Sequence, residues 1–125
     1  MDQVKPEFTV LVVDDEQAFL EVLTIDFELS GCRVLTAPSG HKAFDIIQHE
    51  KVDVVLTDVR MSDGDGIELL DRIKASRPEI PVIFMTGFTD LPYSEAKERG
   101  AEAVVWKPFD LEELNRTVLG YRRQA

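Results

Sequence analysis

Cysteine is almost missing from this chain. Cys32 is the only one in 125 residues, so no disulfide can form within it. That excludes the disulfide-stapled class of small secreted domains, and a reducing compartment is the simplest inference. Cys32 itself reads as a small buried or half-buried side chain. Basic charge is also short, with 14 Lys and Arg against 24 Asp and Glu and a net charge of −10. Such a surface repels phosphate, so direct binding to nucleic acid or to anionic membrane is not expected. No apolar run approaches the ~20 residues needed to span a bilayer. The polar first seven residues lack the apolar core of a signal peptide, so the cytoplasm is the expected location. Low-complexity stretches, internal repeats and linkers are absent too. The length points to a single domain over 1–125, with its core at about 8–123.

What is present is an alternation. Short apolar runs rich in Val, Ile and Phe occupy 8–13, 33–37, 52–57, 82–86 and 103–106. Four are nearly continuous, as strands buried on both faces are; the run at 33–37 is the weakest. Amphipathic segments lie between them. The first carries Phe19, Leu23 and Phe27 on one stripe and ends at Gly31. A second opens at Ser39, a helix N-cap, and turns Ala43, Ile46 and Ile47 inward. Ile67, Leu70 and Ile73 define the third, which stops before Pro78. The fourth, about 92–99, has a thin apolar face and stops at Gly100, so it should be the most easily shifted. The fifth aligns Leu111, Leu114, Val118 and Tyr121 behind Asp110 and Glu113 at capping-box spacing, with Arg122 and Arg123 near its end. Five β–α units in strict order predict a parallel sheet with helices on both faces. In such sheets the functional crevice lies beyond the carboxyl ends of the strands.

Chemistry collects at those ends. The first strand delivers Asp14 and Asp15, the third Asp58, the fourth Thr86 and Gly87, and the fifth Lys107 before Pro108. A strand order of 2-1-3-4-5 would set these four ends side by side. Clustered carboxylates repel, so such a site needs raised pKa values or a hard cation, and Mg2+ suits oxygen ligands that leave vacancies for water or phosphate. Asp58 can then act as a nucleophile toward phosphorus. Lys107 would place a point charge on the phosphoryl oxygens and Thr86 a hydroxyl donor, while Gly87 leaves room for close backbone approach.

The set Asp14-Asp15, Asp58, Thr86-Gly87 and Lys107-Pro108-Phe109, each at a strand end and in this order, resembles the receiver domain of two-component response regulators over about 9–122. The resemblance implies a flavodoxin-like, doubly wound, five-stranded sheet. It implies phosphorylation of Asp58 by a histidine kinase or phosphotransfer protein. It further implies Mg2+ held by Asp15, Asp58 and the Arg60 carbonyl, with Asp14 acting through water, and a cis Lys107-Pro108 bond. Arg60 and Phe88 would line the entrance. The output partner or effector would be read by the face of helix four, strand five and helix five, where Tyr93 and Trp106 are the expected contact aromatics; a homodimer through that face is also expected. Such a domain catalyses only its own phosphorylation and dephosphorylation. The chain stops just after the fifth helix, so either a stand-alone regulator or a receiver cut from a longer protein is expected.

Two positions depart from the family pattern. Ser62 stands where members usually carry Pro, in a turn that Ser, Asp and Gly should preserve. Val104 stands where they usually carry Tyr or Phe, the ring that moves with the threonine during activation. Val cannot do this, so the switch is either muted or transferred to Trp106, which shares its strand face. Two rivals follow: a degenerate receiver that binds partners without phosphate, and an aspartate-nucleophile phosphatase, disfavoured because Asp14 and Asp15 are adjacent and residue 16 is Glu. Other residues have plainer readings. Asp63 and Asp65 read as turn residues, and Glu16 as a first-turn acid. Phe19, Phe27 and Phe44 read as core. His41 and His49, on the second helix, read as exposed, with no partner ligand close by.

Overall fold

A computed structural model describes residues 7–87, 93–107 and 110–124. Five strands, β1 (Thr9–Val13), β2 (Arg33–Ala37), β3 (Val54–Asp58), β4 (Val82–Thr86) and β5 (Ala103–Trp106), form one sheet in the order β2-β1-β3-β4-β5. Every neighbouring pair is parallel. The helices are α1 (Gln17–Leu29), α2 (Gly40–His49), α3 (Gly66–Ser76), α4 (Tyr93–Glu98) and α5 (Leu111–Leu119), with a 3-10 stretch at Gly120–Gln124. This is the parallel sheet that the alternation predicted, in the flavodoxin-like order that the resemblance implies.

The continuous apolar runs are explained by two cores, one on each face. Successive strand residues point to opposite faces. Val10, Val12, Val54, Leu56, Ile83, Met85 and Val105 therefore meet Leu20, Leu23 and Phe27 of α1 and Leu114 and Val118 of α5. Leu11, Val13, Val55, Val82 and Phe84 meet Ala43, Phe44 and Ile47 of α2, Leu69, Leu70 and Ile73 of α3, and Ala96 of α4. Because α1 leaves β1 toward one face and α3 leaves β3 toward the other, the adjacent ends of β1 and β3 open a crevice between them.

Caps set the helix starts. Ser39 accepts from the Lys42 N–H, Asp65 from Glu68 and Asp110 from Glu112, so Asp65 is an N-cap as well as a turn residue. Glu16 is the N-cap of α1 without a side-chain bond; the Asp14 carboxylate takes the Glu16 N–H instead, at 2.9 Å. Gly31 and Gly100 end α1 and the α4 turn at φ +90° and +106°, as expected of glycine there.

Several packing expectations shift by one or two residues. In α1 the buried stripe is Leu20, Leu23 and Phe27, and Phe19 is only half-buried at its edge. Val22, Ile25 and Leu29 of that helix face outward. Leu69 takes the core place expected of Ile67, and Leu111 is exposed. Strand β3 begins at Val54 rather than 52, because the Asp53 carboxylate folds back to accept the Thr9 N–H at 2.8 Å. The start of the fourth helix at Pro92, the side chain of Tyr93, the Phe88 entrance, the Lys107-Pro108 bond with Phe109, and the Arg123 side chain lie outside the described residues.

Candidate functional site

The strand ends meet as their order requires. Asp58 is the last residue of β3, not the residue after it, and its side chain is largely covered. Its Oδ2 lies 3.1 Å from the Lys107 ammonium, and its Oδ1 lies 3.4 Å from the Arg60 N–H. Asp14, directly beyond β1, is 2% exposed. Its Oδ2 lies 3.7 Å from the same ammonium and accepts no hydrogen bond from any described residue. Lys107 thus bridges two carboxylates from separate strands. Thr86 is buried at the end of β4, and its carbonyl accepts the Lys107 N–H at 2.8 Å, which fixes the base of the lysine.

Burial raises the Asp14 pKa from 3.8 to about 6. The negative charges of Asp58 and Asp15 push the same way, against the Glu16 N–H bond and the Lys107 charge. Asp15 itself is exposed. Among the described residues, no three His, Cys, Asp or Glu side chains gather closely enough to hold a metal ion. The convergence expected of three acids is therefore a close pair, Asp14 and Asp58, with Asp15 beside it and a lysine between them.

The groups present still suit a hard divalent cation. They are carboxylate oxygens, and one of those oxygens is buried without a hydrogen bond. A buried carboxylate oxygen without a donor is costly unless positive charge stands close to it.

A Cβ at Gly87 would stand 3.4 Å from the Lys107 Cβ and 3.8 Å from its Cδ, ordinary contact distances, so the stem of the lysine runs beside this glycine. On the other side, the Lys107 ammonium stands 5.1 Å from the centre of the Phe19 ring. Phe19 was read as plain core, and no local pattern marks it as a neighbour of a lysine 88 positions away.

The loop 59–65 that carries Arg60 is held at fixed points. The Gly66 N–H bonds the Val59 carbonyl at 2.9 Å, and a Cβ at Gly66 would collide with the Asp58 carbonyl oxygen. Gly64 adopts φ +77° under the His41 ring, and its carbonyl accepts the Gly40 N–H at 2.8 Å. His41 is exposed as expected, but it is not without acidic neighbours: Nδ1 lies 3.0 Å from Asp63 and Nε2 3.6 Å from Glu68.

Val104 is half-buried against the core cluster that includes Ala96 of α4. Trp106 is 42% exposed and stands in register with Thr86 on the neighbouring strand.

Comparisons with known proteins bear on the family and the fold. Residues 10–119 match the response regulator receiver domain. The sporulation initiation phosphotransferase F of Bacillus subtilis is 37% identical over 113 residues, covering 90% of this chain and 91% of that protein. The regulatory protein AtoC of Escherichia coli is 38% identical over 107 residues, covering 85% of this chain but only 23% of AtoC. Among solved structures, a response regulator receiver domain protein from Clostridium thermocellum superposes with a TM-score of 0.87 at 31% identity, covering 94% of this chain and 95% of that one. The BeF3-activated DrrB receiver domain gives 0.84 at 30% identity over 94% and 99%. This chain belongs to the receiver domain family of two-component response regulators, and is a signalling domain of that class. Among the described residues no helix is long and apolar enough to cross a membrane.

Proposed function

We propose that this domain accepts a phosphoryl group on Asp58 from a histidine kinase or phosphotransfer protein. The observation that carries the reading is the Lys107 ammonium placed between Asp58 and Asp14 where β1, β3 and β5 end. One Asp58 carboxylate oxygen bonds to phosphorus while the bond from phosphorus to the donor imidazole nitrogen breaks, and that nitrogen keeps the electron pair. Hydrolysis reverses the state: water adds at phosphorus, the aspartyl bond breaks, and inorganic phosphate leaves.

Positioning and charge neutralisation dominate such transfers. Asp14, Asp15, Asp58 and the Arg60 carbonyl are the groups that would hold Mg2+, which would neutralise charge on the transferring oxygens when bound. Lys107 would turn its ammonium from the carboxylates to a phosphoryl oxygen, its base still tied to Thr86. The Thr86 hydroxyl would donate to another.

The phosphoryl group acts as a signal only if two conformations differ in their affinity for it. Thr86 and Trp106 are register partners, so a shift at Thr86 reaches an exposed indole one strand away. Val104 has no ring to swing and packs against the core cluster that includes Ala96, which favours Trp106 as the reporter on the α4-β5-α5 face toward an output protein, an effector domain or a second copy. That same Val104 supports the rival reading of a module that binds without phosphate. Intact mass after acetyl phosphate and Mg2+ separates the two. One phosphoryl group on the parent chain and none on Asp58→Asn is expected. Equal labelling of the variant would refute Asp58 as acceptor, and no labelling of either would favour the phosphate-independent module.

A further inference from the structure

Phe19 stands one position from the buried stripe of α1, which Leu20, Leu23 and Phe27 supply. It is half-buried and packs on the edge of the core cluster, a role an aliphatic side chain could fill. What an aliphatic could not supply is the face of a ring. The Lys107 stem passes the open side of Gly87, and its ammonium lies 5.1 Å from the Phe19 centroid, within range of a cation–π contact. The same ammonium reaches Asp58 at 3.1 Å and Asp14 at 3.7 Å.

We propose that Phe19 is a positioning residue for Lys107, its ring holding the ammonium over the Asp14–Asp58 pair. Two consequences follow. Lys107 and a divalent cation are drawn to the same carboxylates, so whatever steadies the lysine there weakens divalent-cation binding. Once the lysine turns away from them, the ring keeps it from straying into solvent and so keeps it near an incoming phosphoryl group. The second consequence rests on the phosphoacceptor reading; the first does not.

The test compares the parent domain with Phe19→Leu and Phe19→Tyr, all checked for folding by circular dichroism. Protons over a ring face are shielded, so the Lys107 ε-methylene signal, assigned with Lys107→Arg, should lie upfield of other lysines. It should lose that displacement in Phe19→Leu and keep it in Phe19→Tyr. Calorimetric titration with Mg2+ should show Phe19→Leu binding about two- to five-fold more tightly, the range a cation–π contact at a partly exposed site spans. At saturating Mg2+, the same variant should take label from acetyl phosphate more slowly by a similar factor, and Tyr should restore both. Ordinary packing damage would weaken both properties together. An unchanged ε-methylene signal, or unchanged or weaker Mg2+ binding in Phe19→Leu, overturns the proposal. Tighter Mg2+ binding with unaltered labelling overturns its second half. If the parent takes no label while the other two measurements behave as expected, the phosphoacceptor reading falls and the placement of Lys107 stands. Should Phe19→Leu fail to fold, Phe19→Met provides the same contrast.

Discussion

Replacing Asp14 by Asn should stabilise the metal-free domain, although it removes a residue central to the site. In the folded chain this carboxyl keeps its proton up to about pH 6, against 3.8 ordinarily, chiefly because it is buried. Between those values the folded state binds more protons than the unfolded state, so stability falls as pH rises through the window. At pH 7.5 the ionised group costs roughly 3 kcal/mol, at about 1.36 kcal/mol per pH unit. Near pH 5 roughly half of that remains, and near pH 4 little. Asn keeps an oxygen for the Glu16 N–H but leaves Lys107 with one carboxylate partner and its own amide hydrogens without an acceptor. The net gain at pH 7.5 should therefore be about 1–2 kcal/mol. For a chain of this length that is a rise of about 4–8 °C in Tm. Thermal unfolding in EDTA at pH 7.5, 5 and 4 is the assay. The reasoning is refuted if the variant is no more stable at pH 7.5, or if its advantage stays the same at pH 4.

Two other outcomes are expected. Gly66→Ala should cost about 2 kcal/mol or more, since the new methyl meets the Asp58 carbonyl; urea titration measures it, and a change below about 0.5 kcal/mol would show that α3 can move away freely. Trp106, 42% exposed and in register with Thr86, should change its emission when BeF3 and Mg2+ are added; constant emission would rule it out as the reporter of the switch.

The sheet was legible because its strands are buried on both faces and so read as unbroken apolar runs. Asp14, Asp58 and Lys107 were legible because each closes such a run, and strand order alone brings run ends together. Shifts of one or two helical positions were not, since Phe19 beside Leu20, or Ile67 near Leu69, differ only by a rotation that tertiary packing chooses. Nor could His41 be matched with Asp63 and Glu68, because side-chain pairs between separate elements leave no local pattern. The late start of the 52–57 run as a strand depended on Asp53 bonding Thr9, 44 residues away.

The three glycines around the 59–65 loop bear on which substitutions it can take. Gly64 must hold a left-handed turn, while Gly40 and Gly66 have backbone where a side chain would go. The outline of the loop is thus set by positions that do not accept a side chain, and exposed Ser62 is not one of them. A proline at 62 would stiffen a path the glycines already dictate, so the loop's shape does not depend on one there.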